Sequence, residues 1–181
     1  ASSHVLGDGI SYDKTIYVNT TGDDSNTGSQ NSPYATINKG ISSVNASDNA
    51  VIYLSKGTFT GDNNTDLSIS LAHEKYGGSL TIIGQGNDKT FIDGESVINC
   101  GGNLTVDNCV FENNYATGSQ GAIVSKGMDL KVTNSVFKNN KASNQGPDIC
   151  FNNNKGNVYI DNSSFYNATN TGYSCGASVY I

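Results

Sequence analysis

Few groups in this chain could carry out acid–base chemistry. The carboxylates of Asp107, Glu112, Asp129, Asp148 and Asp161 occur singly along the second half, among the amines of Lys126, Lys131 and Lys138. Inverting glycoside hydrolysis needs two carboxyls about 6.5–9.5 Å apart. Eliminating an acidic polysaccharide needs a strong base to take the proton beside a carboxylate and a cation, such as Ca2+ held by several carboxylates, to neutralise that carboxylate. No DxxxD-type cluster is present, Arg is absent, and His4 and His73 stand apart from these groups. The adjacent pair Asp23-Asp24, with Asn26, lies in a run dense in oxygen ligands that could hold Ca2+. That run lacks the terminal bidentate Glu of an EF-hand, and an Asx-turn explains it equally. Apart from Ca2+ there, no cofactor is expected and no catalytic residue is assigned. Cys100, Cys109, Cys150 and Cys175 allow two disulfides in three connectivities, with buried free thiols as the alternative. None forms a CxxC pair, so a zinc site is not expected.

Whatever these groups do, the elements that position them are strands. The 181 residues include 25 Asn, 22 Ser, 15 Thr and 21 Gly, against 3 Glu and no Trp. This mixture favours turns over helices. A formal charge of −6 with all 10 basic residues Lys argues against nucleic acid, which needs clustered Lys or Arg on phosphate. No apolar run is long enough to cross a bilayer, so direct membrane insertion is not expected. Short β-branched clusters such as Val51-Ile-Tyr-Leu54 and Leu80-Thr-Ile-Ile83 point to an ordered all-β chain rather than to disorder.

Internal repetition organises the chain. Leu104-Thr-Val-Asp-Asn-Cys-Val-Phe-Glu-Asn-Asn114, Leu130-Lys-Val-Thr-Asn-Ser-Val-Phe-Lys-Asn-Asn140 and Val158-Tyr-Ile-Asp-Asn-Ser-Ser-Phe-Tyr-Asn-Ala168 align without gaps, starting 26 and 28 residues apart. A repeat of this length with alternating apolar residues predicts one β-solenoid coil per copy. Phe111, Phe137 and Phe165 should stack, and Asn108, Asn134 and Asn162 should occupy the bend between two strands, a structural role. Asp107 and Asp161 share a repeat position two coils apart, about 10 Å at the strand spacing. The second short strands, Gly121-Ala-Ile-Val124, Pro147-Asp-Ile-Cys150 and Gly176-Ala-Ser-Val179, follow each Phe by ten or eleven residues. The loops between are polar, and six Asn-x-Ser/Thr sequons are what composition alone would give.

Residues 1–50 differ from the rest. Lys14 to Asn19 reads as a strand, and Thr36 as the N-cap of a short helix carrying Ile37, Ile41 and Val44. That helix would close the first apolar layer of coils spanning residues 51–181. The fold expected is all-β, a right-handed parallel β-helix of four to six coils with a short N-terminal capping helix. The last residues read as a strand with nothing after it, as in a fragment of a larger protein.

The run Ile16-Tyr-Val-Asn-Thr-Thr-Gly-Asp-Asp-Ser-Asn-Thr-Gly28, with Ser32-Pro-Tyr-Ala-Thr-Ile-Asn-Lys-Gly40 and Val51 to Phe59, resembles the opening of pectate-lyase-like parallel β-helix proteins. Phe111-Glu-Asn-Asn114, Phe137-Lys-Asn-Asn140 and Gly121-Ala-Ile123 are similar to the FxxN and GGA-I repeats of polymorphic outer-membrane and adhesin-like proteins. Phe165-Tyr-Asn-Ala168 departs at its last position, and Gly121 stands alone where the motif has two glycines. From Lys14 onward the chain resembles adhesin-like surface proteins of methanogenic archaea. This resemblance implies an extracellular, cell-surface and non-catalytic adhesin that attaches to glycans or proteins of protozoa, bacteria or host surfaces. A monomer is expected. The candidate binding residues are Tyr115, Gln120, Lys141, Asn144, Gln145, Asn153 and Asn154, in the loops 115–120, 141–146 and 152–157. A polysaccharide lyase or glycoside hydrolase and a structural spacer are the alternatives.

Overall fold

The computed structural model describes residues 10–69, 76–95, 98–116, 121–126, 128–152, 155–172 and 178–181. The chain opens with β1 (Lys14–Val18) and α1 (Ile37–Ser42). The first coil follows as β2 (Asn49–Leu54), β3 (Gly57–Thr60) and β4 (Leu67–Ile69), and the second as β5 (Ser79–Ile83), β6 (Thr90–Glu95) and β7 (Ile98–Cys100). The third coil holds β8 (Asn103–Asp107), β9 (Val110–Ala116) and β10 (Ile123–Ser125). The fourth holds β11 (Leu130–Thr133), β12 (Val136–Lys138), β13 (Lys141–Ala142) and β14 (Ile149–Phe151). The last holds β15 (Val158–Asp161), β16 (Ser164–Tyr166), β17 (Thr169–Asn170) and β18 (Val179–Tyr180).

Each coil contributes to all three parallel sheets, the arrangement of a β-solenoid, and the fourth and last coils give two short strands to one of them. The first sheet runs β1-β2-β5-β8-β11-β15, and four full turns separate β2 from β15. Its register is the repeat read from sequence, since Leu104 pairs with Leu130 and Leu130 with Val158. Alternation along each strand turns Ile16, Ile52, Ile82, Val106 and Val132 inward, where each is almost wholly buried. Phe111, Phe137 and Phe165 stack as expected, with ring centroids 4.9 and 5.1 Å apart.

Three bend residues, Asn108, Asn134 and Asn162, have φ of 54°, 51° and 46°. A side chain pays a steric cost there that Asn bears better than most. A second set, Asn113, Asn139 and Asn167, repeats this at φ of 56°, 56° and 52°. Asn114 and Asn140, which end the FxxN motif, are buried instead. Asn140 Nδ2 donates to the Phe111 carbonyl at 3.0 Å, and its Oδ1 accepts from Asn114 Nδ2 at 2.9 Å.

The helix caps the stack at the N-terminal end. Thr36 Oγ1 accepts from the Lys39 amide at 3.3 Å, and Ile37 and Ile41 join the cluster that contains Val18 and Ile52. Val44 lies beyond the helix but packs on the same core. A Cβ on Gly40 would sit 3.0 Å from Val18 Cγ2, so the helix approaches the first layer as closely as a glycine permits.

One alignment shifts. The spacing put Ser178 level with Ile149, whereas the structure pairs Ile149 with Val179. The apolar residue takes the core position because a one-residue slip would send it to the opposite face.

The disulfide expectation is corrected. Cys100, Cys109 and Cys150 are buried free thiols. Cys100 pairs with Ser125 and Ser125 with Phe151, while Cys150 pairs with Val124. The two cysteines therefore lie two strands apart, about 10 Å, and at alternate positions on their strands. A bridge needs Cα atoms about 4.4–6.8 Å apart. Cys175 lies outside the described residues.

Candidate functional site

In-register stacking turns a repeat position into a row of side chains about 4.8 Å apart. Two of the predicted binding residues share such a row. Tyr115 pairs with Lys141, in line with Glu95 and Thr169. The Lys141 ammonium sits 4.9 Å from the Tyr115 ring centroid, and Tyr115 is 40% exposed. Both residues lie on strands, β9 and β13, rather than in the loops expected, so the backbone ladder holds them rigid.

The next row out is Asp93, Glu112, Lys138 and Tyr166. Lys138 Nζ reaches Glu112 Oε2 at 3.0 Å and stands 5.8 Å from the Phe91 ring. Tyr166 is 55% exposed. The two rows, on either side of the bend at Asn113 and Asn139, make up a strip that carries the Tyr115 and Tyr166 rings and the Glu112–Lys138 ion pair. Asn144 is exposed beside this strip and its carbonyl accepts from Asn170 Nδ2, while Gln145 is half-buried. Gln120, Asn153 and Asn154 fall outside the described residues.

On the outer face of the first sheet, Asp107, Thr133 and Asp161 do stand in one row. With Lys131 they line a groove of about 320 Å³ that Ile10 and Tyr12 help to enclose. Yet Asp107 is committed to its neighbours. Its Oδ1 accepts from Thr133 Oγ1 at 2.7 Å and Asn134 Nδ2 at 2.9 Å, and its Oδ2 accepts from Asn108 Nδ2 at 2.9 Å. Asn162 Nδ2 then donates to Asn134 Oδ1 at 2.6 Å, so this carboxylate anchors the ladder of bend asparagines. Three donors thus occupy both oxygens of this carboxylate.

The acidic N-terminal loop is likewise used internally. Asp24 Oδ1 accepts from the amides of Ala35 and Thr36, both at 2.9 Å, and its Oδ2 from Thr36 Oγ1 at 2.7 Å. Asp23 Oδ1 accepts from the amide and hydroxyl of Ser25, which holds its carboxyl below the usual range. Asn26 Nδ2 donates to the Pro33 carbonyl at 2.8 Å. The Asp23 bonds to Ser25 are Asx-turn bonds, and among the described residues there is no group of three or more His, Cys, Asp or Glu side chains placed to hold a metal ion.

Sequence reading passed over a third feature. Tyr17 and Tyr53 pair on adjacent strands and stack with centroids 5.2 Å apart at 23°. The recurrence of Ile16-Tyr-Val18 as Ile52-Tyr-Leu54 was the available signal.

A family model described as "Protein of unknown function (DUF1565)" matches residues 20–105. The matched stretch opens the solenoid. It carries the loop after β1, the capping helix and the strands up to β8, and stops short of Tyr115 and Lys141. No curated protein matches the chain, and no solved structure does.

Proposed function

We propose that this β-solenoid is a non-catalytic attachment domain of a cell-surface protein, similar to the adhesin-like proteins of methanogenic archaea. It binds glycans or polar protein surfaces on other cells through the strip of Tyr115, Lys141, Lys138 and Tyr166. The observation that carries this reading is the Tyr115–Lys141 pair, an exposed ring and an ammonium fixed side by side on a rigid sheet. Aromatic rings and cations on rigid scaffolds make recognition contacts at small entropic cost. The FxxN and GGA-I style of the repeats and the extracellular location belong to the same proposal.

A hydrolase is the second reading, favoured by the alignment of Asp107 and Asp161 beside Lys131 in one groove. The three hydrogen bonds received by Asp107 weigh against it. Incubating the purified domain with neutral and acidic polysaccharides separates the two. Attachment predicts retention of the domain on an immobilised glycan or cell wall without new reducing ends or unsaturated products. Turnover of any of these polymers overturns the proposal.

A further inference from the structure

A second surface, remote in sequence from that strip, has the make-up of a small ligand site. The outward faces of β1 and β2 present the stacked Tyr17 and Tyr53 rings as a floor. The loop after β1 supplies one wall through Gln30 and Pro33, and Gln85, at the bend after β5, supplies another. Together they enclose a cleft of about 250 Å³. Drug-sized sites run to about 300–1,000 Å³, so the space suits one small ring rather than a chain.

The chemistry of the lining narrows the occupant. None of the described residues lining the cleft is charged, in a chain of net charge −6. Donors and acceptors are nevertheless set around the aromatic floor. Gln85 Nε2 donates to the Leu54 carbonyl at 3.1 Å, which fixes the amide and leaves its Oε1 as an acceptor. Asn19 Oδ1 accepts from the amide and hydroxyl of Thr21 at 3.0 and 2.9 Å, which leaves its Nδ2 as a donor. Hydroxyl groups both give and accept hydrogen bonds, so a polyhydroxylated ligand satisfies this mixture where an anion or cation would not. A pyranose also has a face of C–H bonds, whose partial positive charge matches the negative face of a tyrosine ring.

We infer that the Tyr17–Tyr53 cleft binds a neutral pyranose sugar, stacked on the tyrosine pair and hydrogen-bonded by Asn19 and Gln85. This site is independent of the Tyr115–Lys141 strip, and either can fail alone.

Saturation-transfer NMR on the whole chain tests it, with methyl glucoside, mannoside, galactoside and N-acetylglucosaminide as neutral probes and galacturonate as the acidic control. At least one neutral probe should receive transfer at its ring C–H protons, with Kd near about 1 mM, as befits a single ring. Tyr17→Ala and Gln85→Ala should each weaken it by about fivefold or more, and Tyr159→Ala, at an exposed ring outside both surfaces, should leave it unchanged. Gln85 is exposed, so its variant reports on binding even if Tyr17→Ala disturbs the strand. The inference is overturned by the absence of transfer from every neutral probe at about 20 mM, by equal binding in the Gln85→Ala chain, or by galacturonate binding as tightly.

Discussion

Asn140 Nδ2 donates to Asp148 Oδ1 at 2.8 Å inside the solenoid, where both residues are fully buried. The second carboxylate oxygen, Oδ2, lies buried without a hydrogen-bond partner. The protein therefore keeps a carboxyl group in its core that is only half satisfied.

Burial pushes the Asp148 carboxyl up to about 6, against the hydrogen bond from Asn140 that favours its charged form. A folded value above the unfolded value of 3.8 means that the charged form is penalised in the fold. The penalty is present in full above pH 6 and is relieved as pH falls through 6 towards 3.8. Asp148→Asn should be more stable than the parent at pH 8 by about 1–3 kcal/mol, and the gap should close towards pH 4. Urea unfolding at several pH values measures it. A parent chain more stable than the variant at pH 8 would contradict this account.

The bend asparagines combine a dihedral role with a ladder role. Asn134→Ala loses the bonds to Asp107 and from Asn162 and forces Ala into the left-handed region, a cost of about 2–3 kcal/mol. Asn134→Gly loses the same bonds without the strain and should be about 1 kcal/mol less damaging. Equal losses in denaturant titrations would show that the backbone conformation contributes nothing.

Phe137 is stacked on both sides and fully buried, whereas Phe165 is half-buried with one ring neighbour among the described residues. Phe137→Ala should cost about 3–5 kcal/mol and Phe165→Ala clearly less. Thermal melts of the pair reverse this order only if the stack is not continuous.

Desolvation pushes the Cys109 thiol up to about 12 and the Cys100 thiol to about 11, so neither offers thiolate at neutral pH. Alkylation under native conditions should spare both. Denaturation without reductant should make Cys100, Cys109 and Cys150 all reactive, as peptide mass mapping would record. A bridged pair among them would refute the thiol assignment.

The coil repeat was legible because one coil is one copy. Leu104, Leu130 and Val158, and the three Phe residues, could be aligned by eye, and parallel in-register pairing then fixed their neighbours. Tyr115 and Lys141 were visible as candidates, but not their contact, which depends on β9 and β13 continuing past the bend at Asn113 and Asn139. Val179 was misaligned because the loop before it differs in length, and only the core could choose its register. The cysteines misled because an even count says nothing about which positions stack. Tyr17 and Tyr53 went unremarked since their 36-residue separation spans the loop and helix, and matches no later spacing.

The central claim is attachment through the Tyr115–Lys141 strip. Adsorption isotherms of the labelled domain on intact microbial cells and on a glycan panel test it most directly, run for the parent and for the Tyr115→Ala, Lys141→Ala double variant. The account predicts saturable binding by the parent, at least about tenfold weaker in the double variant, with unfolding free energies that agree within about 0.5 kcal/mol. Equal binding by the two chains, or no binding by the parent to any of these surfaces, would contradict it.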